Sequence, residues 1–230
     1  MKILAVETST EWCSVAVGDG ARWFVRDEHA GQSHSERALA LCAEVLAEAG
    51  FTLAGLDGIA FGAGPGSFTG IRIACGLAQG LALADDLPVV PVPTLAALAH
   101  SAWTRGGHAR VVACLDARMR EVYVAAYARS DGGWDEIAAP VVVPPADVAG
   151  VGGAGWFGAG SGFGAYPELV ARLGLASADA AARPTARAVG ELALPRLAAG
   201  EAVAAVDARP IYVRHRVALT TAEREAGARL

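Results

Sequence analysis

Lysine is almost missing from this chain: Lys2 is the single lysine among 230 residues. A P-loop needs a lysine after its last glycine, and a protein-kinase site needs one on an early strand, so both routes to nucleotide phosphates are excluded. Histidine is sparse as well. His29, His34, His100, His108 and His215 form no H-x-x-x-H or HExxH spacing, and no metal site is expected. The cysteines Cys13, Cys42, Cys75 and Cys114 form no CxxC and each lies in an apolar segment, so they read as buried free thiols of a reducing compartment. A nucleophile elbow is absent too. Pro65 and Thr69 flank Ser67, and Ala159 and Phe163 flank Ser161, where GxSxG requires glycine. Apolar runs are too short to span a bilayer and no leader follows Lys2, so a soluble cytoplasmic protein with no membrane role is expected. With Lys+Arg 19 against Asp+Glu 24 the net charge is -5. An acidic chain makes a poor lone nucleic-acid binder, which leaves a role inside a complex open.

Glycine is what the chain has in quantity, with 28 residues, and the densest use is GAGPGSFTGIRIACGLAQGLALA, residues 62–84. The stretch reads as a glycine loop to Gly70 and a helix over 71–84, capped by Thr69 or Ser67. Gly76 and Gly80 stand four apart, hence on one face. Each costs about 1 kcal/mol of helix stability relative to Ala, which suggests close approach of a second helix. The helix is expected to be buried or to form an interface with another chain.

Around this stretch the pattern is α/β. Strands are expected at 2–6, 12–17 and 21–26, the last two joined by a Gly18-Asp19-Gly20 hairpin turn. Ser33 to Glu36 matches the S-x-x-E capping box of a helix ending at Gly50, with an apolar stripe at Ala38, Leu39, Leu41, Cys42, Val45, Leu46 and Ala49. His34 reads as a surface or cap residue. A short strand at 58–61, a strand at 89–92 and a helix from Thr94 to about Trp103 complete a unit ending near Gly106-Gly107. The pattern then recurs: strands at 110–116, 121–127 and 134–143, the first ending in a carboxylate as 2–7 does. This predicts two related halves, 1–105 and 106–230. A glycine-rich loop over 150–164, helices over 166–173 and 185–199, an extended piece at 209–216 and a polar tail from Thr221 follow, with Pro195 expected to kink or shorten its helix.

Three features bear on chemistry. Glu7-Thr8-Ser9-Thr10 ends the first strand and can offer hydroxyls and N–H groups to a phosphate, or be a turn satisfied by its own hydroxyls, the commoner case. Gly153-Ala-Gly155-Trp-Phe-Gly158 is a formal GxGxxG, but no clear strand precedes it and no helix follows directly. Asp116 and Glu121, with Arg118 and Arg120 between them, are able to serve a site, yet read more simply as solvated charges of a hairpin.

GPGSFTGIRIACGLAQGLA, together with ILAVETST at the start and HSERAL between, resembles the TsaB (YeaZ) family over most of the chain. The resemblance implies the fold of the actin, sugar-kinase and Hsp70 ATPase (ASKHA) group, with two related subdomains of mixed sheet and helices. It implies a non-catalytic scaffold that dimerises with TsaD, joins the ATPase TsaE, and meets tRNA only through the complex. That machinery transfers a threonylcarbamoyl group from threonylcarbamoyl-adenylate to N6 of the adenosine just after the anticodon, in tRNAs reading codons that begin with A. Thr94 and Leu98 stand where a TsaD-like protein has its metal-binding histidines, and Glu7 where an actin-like ATPase has aspartate. No cofactor of its own is therefore expected, ATP or ADP being held within the complex, with Glu7, Thr8 and Ser9 the nucleotide-proximal residues. The expected dimer face, for TsaD or for a second copy when TsaD is absent, comprises His34, Leu39, Cys42, Leu46, Ile73, Gly76, Leu77 and Gly80. The competing readings are an actin-like small-molecule kinase, which needs nucleotide binding by the isolated chain, and a peptidase, which lacks both metal pair and serine elbow.

Overall fold

The computed structural model describes residues 1–31, 33–131, 133–150 and 153–214. Strands β1 (Ile3–Glu7), β2 (Trp12–Gly18) and β3 (Trp23–His29) form the expected antiparallel meander. Asp19 tightens the second turn by accepting from the N–H groups of Ala21 and Arg22, at 3.0 and 2.8 Å. Helix α1 (His34–Ala49) stops at Gly50, whose φ of 67° is the left-handed cap that glycine adopts freely. The capping box does not form. Ser33 sits at φ -91° and ψ 18° rather than in the extended N-cap geometry, and its side chain makes no cap hydrogen bond.

Strand β4 (Gly58–Gly64) runs three residues past the expected Phe61, and helix α2 (Phe68–Ala84) starts three residues before the expected Ile71. The glycine loop is thus a tight strand-to-helix corner, and Ser67 is the residue that caps it, accepting from the Gly70 N–H at 3.3 Å. Strand β5 (Val89–Pro93) and helix α3 (Thr94–Gly106) close the first unit. The second unit holds β6 (Arg110–Asp116), β7 (Val122–Ser130), β8 (Gly133–Val143), β9 (Phe157–Ala159), α4 (Gly162–Ala165), α5 (Glu168–Arg172), β10 (Ser177–Asp179) and α6 (Ala186–Ala198). The helix expected over 166–173 is α5, α4 is an added turn of helix at the end of the expected 150–164 loop, and α6 continues three residues beyond Pro195. Residues 209–214 form neither helix nor strand; 215–216 of that expected piece, and the polar tail, lie outside the described residues.

The two sheets have the same topology. The first has order β3-β2-β1-β4-β5 and the second β8-β7-β6-β9-β10. In each, two antiparallel pairs lead into two parallel ones. The recurrence seen in the sequence is therefore a structural duplication of mixed sheets flanked by helices. The helices at the ends of the units cross over. Helix α6 packs Ala186, Val189 and Ala193 on Ile3, Ala5 and Ala16 of the first sheet. Helix α3 packs Leu95, Leu98 and Ala102 on Val111, Ala113 and Leu115 of the second. A cut after residue 105 thus separates the sheets but not their cores. The outer face of the first sheet is covered by α1 and α2 through Leu41, Val45, Ala74 and Ala78, and that of the second by α4 and α5 through Phe163 and Leu169. With helices on both faces, β1 and β4 are buried at every residue, which is why they read as unbroken apolar runs. Among the described residues no helix is long and apolar enough to cross a membrane.

A polar clamp joins α3, α6 and β8. The Trp134 Nε1–H donates to His100 Nδ1 at 3.1 Å, which leaves the His100 proton on Nε2, facing Glu191 Oε2 at 2.8 Å. Burial pushes the Glu191 carboxyl up, but the hydrogen bonds from His100 and Arg187 outweigh it and hold the group below its ordinary value. Replacing His100 with Phe strands both partners. The expected loss is about 2 kcal/mol of unfolding free energy, read from the urea midpoint at unchanged m-value.

Candidate functional site

A cleft of about 1210 Å³ opens between the two halves, at the carboxyl ends of β1, β4 and β6. In open α/β sheets this is where ligands bind. Its walls are the β1–β2 turn (Ser9 to Trp12), the glycine corner (Pro65 to Phe68), the β6–β7 turn (Leu115 to Met119), residues 180–183 and the segment 211–214.

The β1–β2 turn is the part that a phosphate would need, and three of its polar groups are engaged by the chain itself. Glu7, Thr8 and Ser9 are all buried. The Ser9 N–H donates to Glu7 Oε1 at 2.6 Å and the Thr8 hydroxyl to the Gly70 carbonyl at 2.7 Å, while the Ser9 carbonyl accepts from the Ser67 N–H at 2.8 Å. Glycine makes this possible. A Cβ on Gly62 would overlap Glu7 Oε2, one on Gly70 would overlap the Thr8 carbonyl, and one on Gly66 would lie 2.6 Å from the Ser9 carbonyl. The glycine corner therefore fills the space over the turn with the chain's own backbone. Of the three expected nucleotide-proximal residues, only Ser9 reaches the cleft. Glu7 and Thr8 lie behind it, a correction to the expected site. Burial raises the Glu7 carboxyl above its ordinary value, and its Oε2 has no hydrogen-bond partner among the described residues.

The second half repeats the device with the segment left unexplained by the sequence. A Cβ on Gly160 or Gly162 would overlap the Cys114 carbonyl or sulfur, and the Asp116 N–H donates to Ser161 Oγ at 3.1 Å. The formal GxGxxG runs into strand β9 at Gly158 rather than from a strand into a helix, so it is no dinucleotide fingerprint. Asp116 and Glu121 are not free solvated charges. Asp116 pairs with Arg118 at 3.3 Å, and Glu121 pairs with Arg214 at 2.5 Å. The turn between them holds Arg118, Met119 and Arg120 at φ of 60°, 52° and 60°, three successive left-handed residues without glycine. The cleft arginines Arg72, Arg183 and Arg214 carry no sequence signal of a site, because distant segments bring them together.

The expected dimer face divides. Leu39 is 55% exposed, Gly76 and Gly80 have open space where a Cβ would stand, and Leu46, Ile73 and Leu77 are half-buried beside them. Among the described residues no second helix presses on those glycines. His34 and Cys42 instead turn inward. His34 lies with Nε2 3.3 Å from the Trp12 carbonyl, and Cys42 packs in the core beneath α1, so neither offers its side chain to a partner. Burial pushes the Cys42 thiol up to about 12, as it does that of Cys114. Among the described residues no cluster of three His, Cys, Asp or Glu is placed to hold a metal. Thr94 Oγ1 instead accepts from the Gly64 N–H at 3.1 Å, and Leu98 packs between the sheets.

Two outcomes follow from the packed turn. A Gly70→Ala chain should lose about 3 kcal/mol or more, since backbone, not a flexible side chain, must move; denaturant unfolding measures it. For Glu7, the folded state holds its proton above the pH at which the unfolded chain releases it. Stability should fall as pH rises from about 4.5 to the raised folded value, then level off. Glu7→Gln should remove that slope in thermal melts across the pH range.

The family model described as TsaD: tRNA N6-adenosine threonylcarbamoyltransferase matches residues 25–214. A relative in Escherichia coli K12, named tRNA threonylcarbamoyladenosine biosynthesis protein TsaB, is 38% identical over 95% of this chain and 96% of its own length. A Haemophilus influenzae protein of the same name is 38% identical over 94% and 95%. Among solved structures, YeaZ from Pseudomonas aeruginosa aligns at a TM-score of 0.84 and 41% identity, covering 92% of this chain and 99% of that one. A second, described as an uncharacterized protein with similarity to peptidase YEAZ from Pseudomonas aeruginosa, aligns at 0.88 and 42%, covering 93% and 99%. The two duplicated mixed sheets are those of the actin-like group to which TsaD-like domains belong, and the chain belongs to the TsaB (YeaZ) family.

Proposed function

We propose that this chain is a required but non-catalytic subunit of the machinery that makes threonylcarbamoyladenosine in tRNA, and that it acts by pairing with TsaD. The carrying observation is the closed β1–β2 turn. The Ser9 N–H, the Ser9 carbonyl and the Thr8 hydroxyl are taken up by Glu7, Ser67 and Gly70, and the glycine corner packs over the turn with Glu7 buried beneath, so this turn does not suit the phosphates of a nucleotide. A chain without that phosphate turn gains nothing from an ATP of its own, and the ATP or ADP of the process then belongs to the complex with TsaD and TsaE. The same feature disfavours the small-molecule kinase. The threonylcarbamoyl transfer would take place on the partner, in the cytoplasm, with tRNA as the acceptor.

The pairing surface we assign is the outer face of α1 and α2, built on Leu39, Leu46, Ile73, Gly76, Leu77 and Gly80, with Leu83 (67% exposed) extending it. Open glycine positions let a partner helix approach closely, and burying the leucines contributes roughly 25 cal/mol per Å². The same face would serve a homodimer when TsaD is absent. Purified chain added to TsaD, TsaE and the donor-forming enzyme tests the role: a one-to-one complex in sedimentation and restored tRNA modification are expected. ATP turnover by the chain alone, with no response to TsaD, would instead favour the kinase. Gly76→Leu and Gly80→Leu separate surface from fold. Because nothing lies within 4 Å of either position, thermal stability should hold or rise, while affinity for TsaD falls tenfold or more.

A further inference from the structure

Three buried polar atoms on cleft-lining residues have no hydrogen-bond partner among the described residues: Ser9 Oγ, Arg183 Nε and Arg214 Nε. Native structures rarely leave buried donors unmatched, so three around one opening point to an acceptor that arrives from outside. Four arginines, Arg72, Arg118, Arg183 and Arg214, line the cleft beside Glu11 and Asp116; Arg183 also pairs with Asp27 at 3.6 Å and Arg214 with Glu121 at 2.5 Å, so Arg72 is the one of the four with no carboxylate partner among the described residues. Glu11 and Asp116 both already pair with Arg118.

The cleft also offers flat surfaces. Arg72 lies 3.3 Å above the Phe68 ring and 5.2 Å from Tyr212, and Arg183 lies 3.8 Å from the Trp12 ring. Phe68 is 53% exposed and Tyr212 48%, so these planes sit on the rim rather than in an enclosed pocket. A free nucleotide would need most of its surface enclosed, and its phosphates would need the turn that the glycine corner fills. Arginines spread along an open groove with exposed rings beside them suit a strand instead, since every base has a face to stack and every link a phosphate. Arg214 braces the left-handed Arg118-Met119-Arg120 turn by donating to the Ala117 carbonyl at 3.1 Å.

We infer that the cleft and its rim bind an unpaired stretch of RNA strand directly, through Arg72, Arg118, Arg183 and Arg214 and the rings of Phe68 and Tyr212. This rests on the proposed role in tRNA modification, and gives the chain an RNA contact of its own rather than one lent by its partner. The test is fluorescence anisotropy of labelled tRNA with the full chain alone, from about 50 mM salt upward. Binding is expected, with a log–log salt slope of about -2 to -3 for three or four single-strand phosphate contacts. Arg118→Gln, at a side chain 74% exposed and so harmless to the fold, should flatten the slope by about 0.7. Tyr212→Ala should weaken binding about tenfold, the scale of one lost stack. Sedimentation with TsaD, run on the same proteins, keeps the two readings apart. A chain that binds tRNA through these residues but ignores TsaD supports the cleft site and counts against the proposed pairing. Absence of tRNA binding at the lowest salt, or variants that bind as well as the unaltered chain, overturns the inference. Complete displacement of tRNA by ATP overturns it too, since the cleft would then be a pocket for free nucleotide.

Discussion

The seating of the glycine corner on the β1–β2 turn is the contact on which the rest depends. Three glycines, Gly62, Gly66 and Gly70, stand where any side chain would collide with Glu7, Ser9 or Thr8. The corner fixes where β4 ends and α2 begins, and so which face of α2 turns outward. It buries a carboxyl whose ionisation is thereby disfavoured, a cost of the kind usually kept only where a structure needs it. It also converts a turn able to hold a phosphate into a packed junction.

Duplication explains the second half without further assumptions. The glycines at 160 and 162 close on the end of β6 as the first set closes on β1; there Ser161 Oγ accepts from the Asp116 N–H, whereas in the first half the Ser67 N–H donates to the Ser9 carbonyl. The exchange of α3 and α6 between the sheets makes the halves one body around their shared layer, and the His100 clamp ties that layer to β8. The cleft between the halves then has firm walls, and its open side carries the arginines.

Much of this fold was legible in the sequence, and the reasons are local. The meander, α1 and its Gly50 stop, and the repeated strand–carboxylate–turn pattern all rest on periodicity and turn chemistry, which neighbouring residues decide. What escaped depends on distant partners. Gly62 to Gly64 read as loop because glycine weakens strands, and only Glu7 across the sheet explains their presence in β4. Cys42 and His34 are placed on the expected dimer face because they share a helix with an apolar stripe that has both an inner and an outer edge. Glu7 and Thr8 are placed near a nucleotide by the family resemblance, while the turn alone reads more simply as self-satisfied; the corner that covers it arrives more than fifty residues later. Arg183 and Arg214 had no local mark at all. The one available hint was the near-absence of lysine, which left arginine as the positive charge wherever a site needed it.

The central claim is that the first turn is closed by the chain itself. Amide hydrogen exchange on the isolated, nucleotide-free chain tests it residue by residue. The Ser9 and Ser67 N–H groups, bonded to Glu7 Oε1 and to the Ser9 carbonyl, should exchange as slowly as those of β1 and β4, and added ATP with magnesium should leave their rates unchanged. Exchange at the rate of an open loop, or protection that appears only when ATP is added, would contradict the account and restore the turn as a phosphate site.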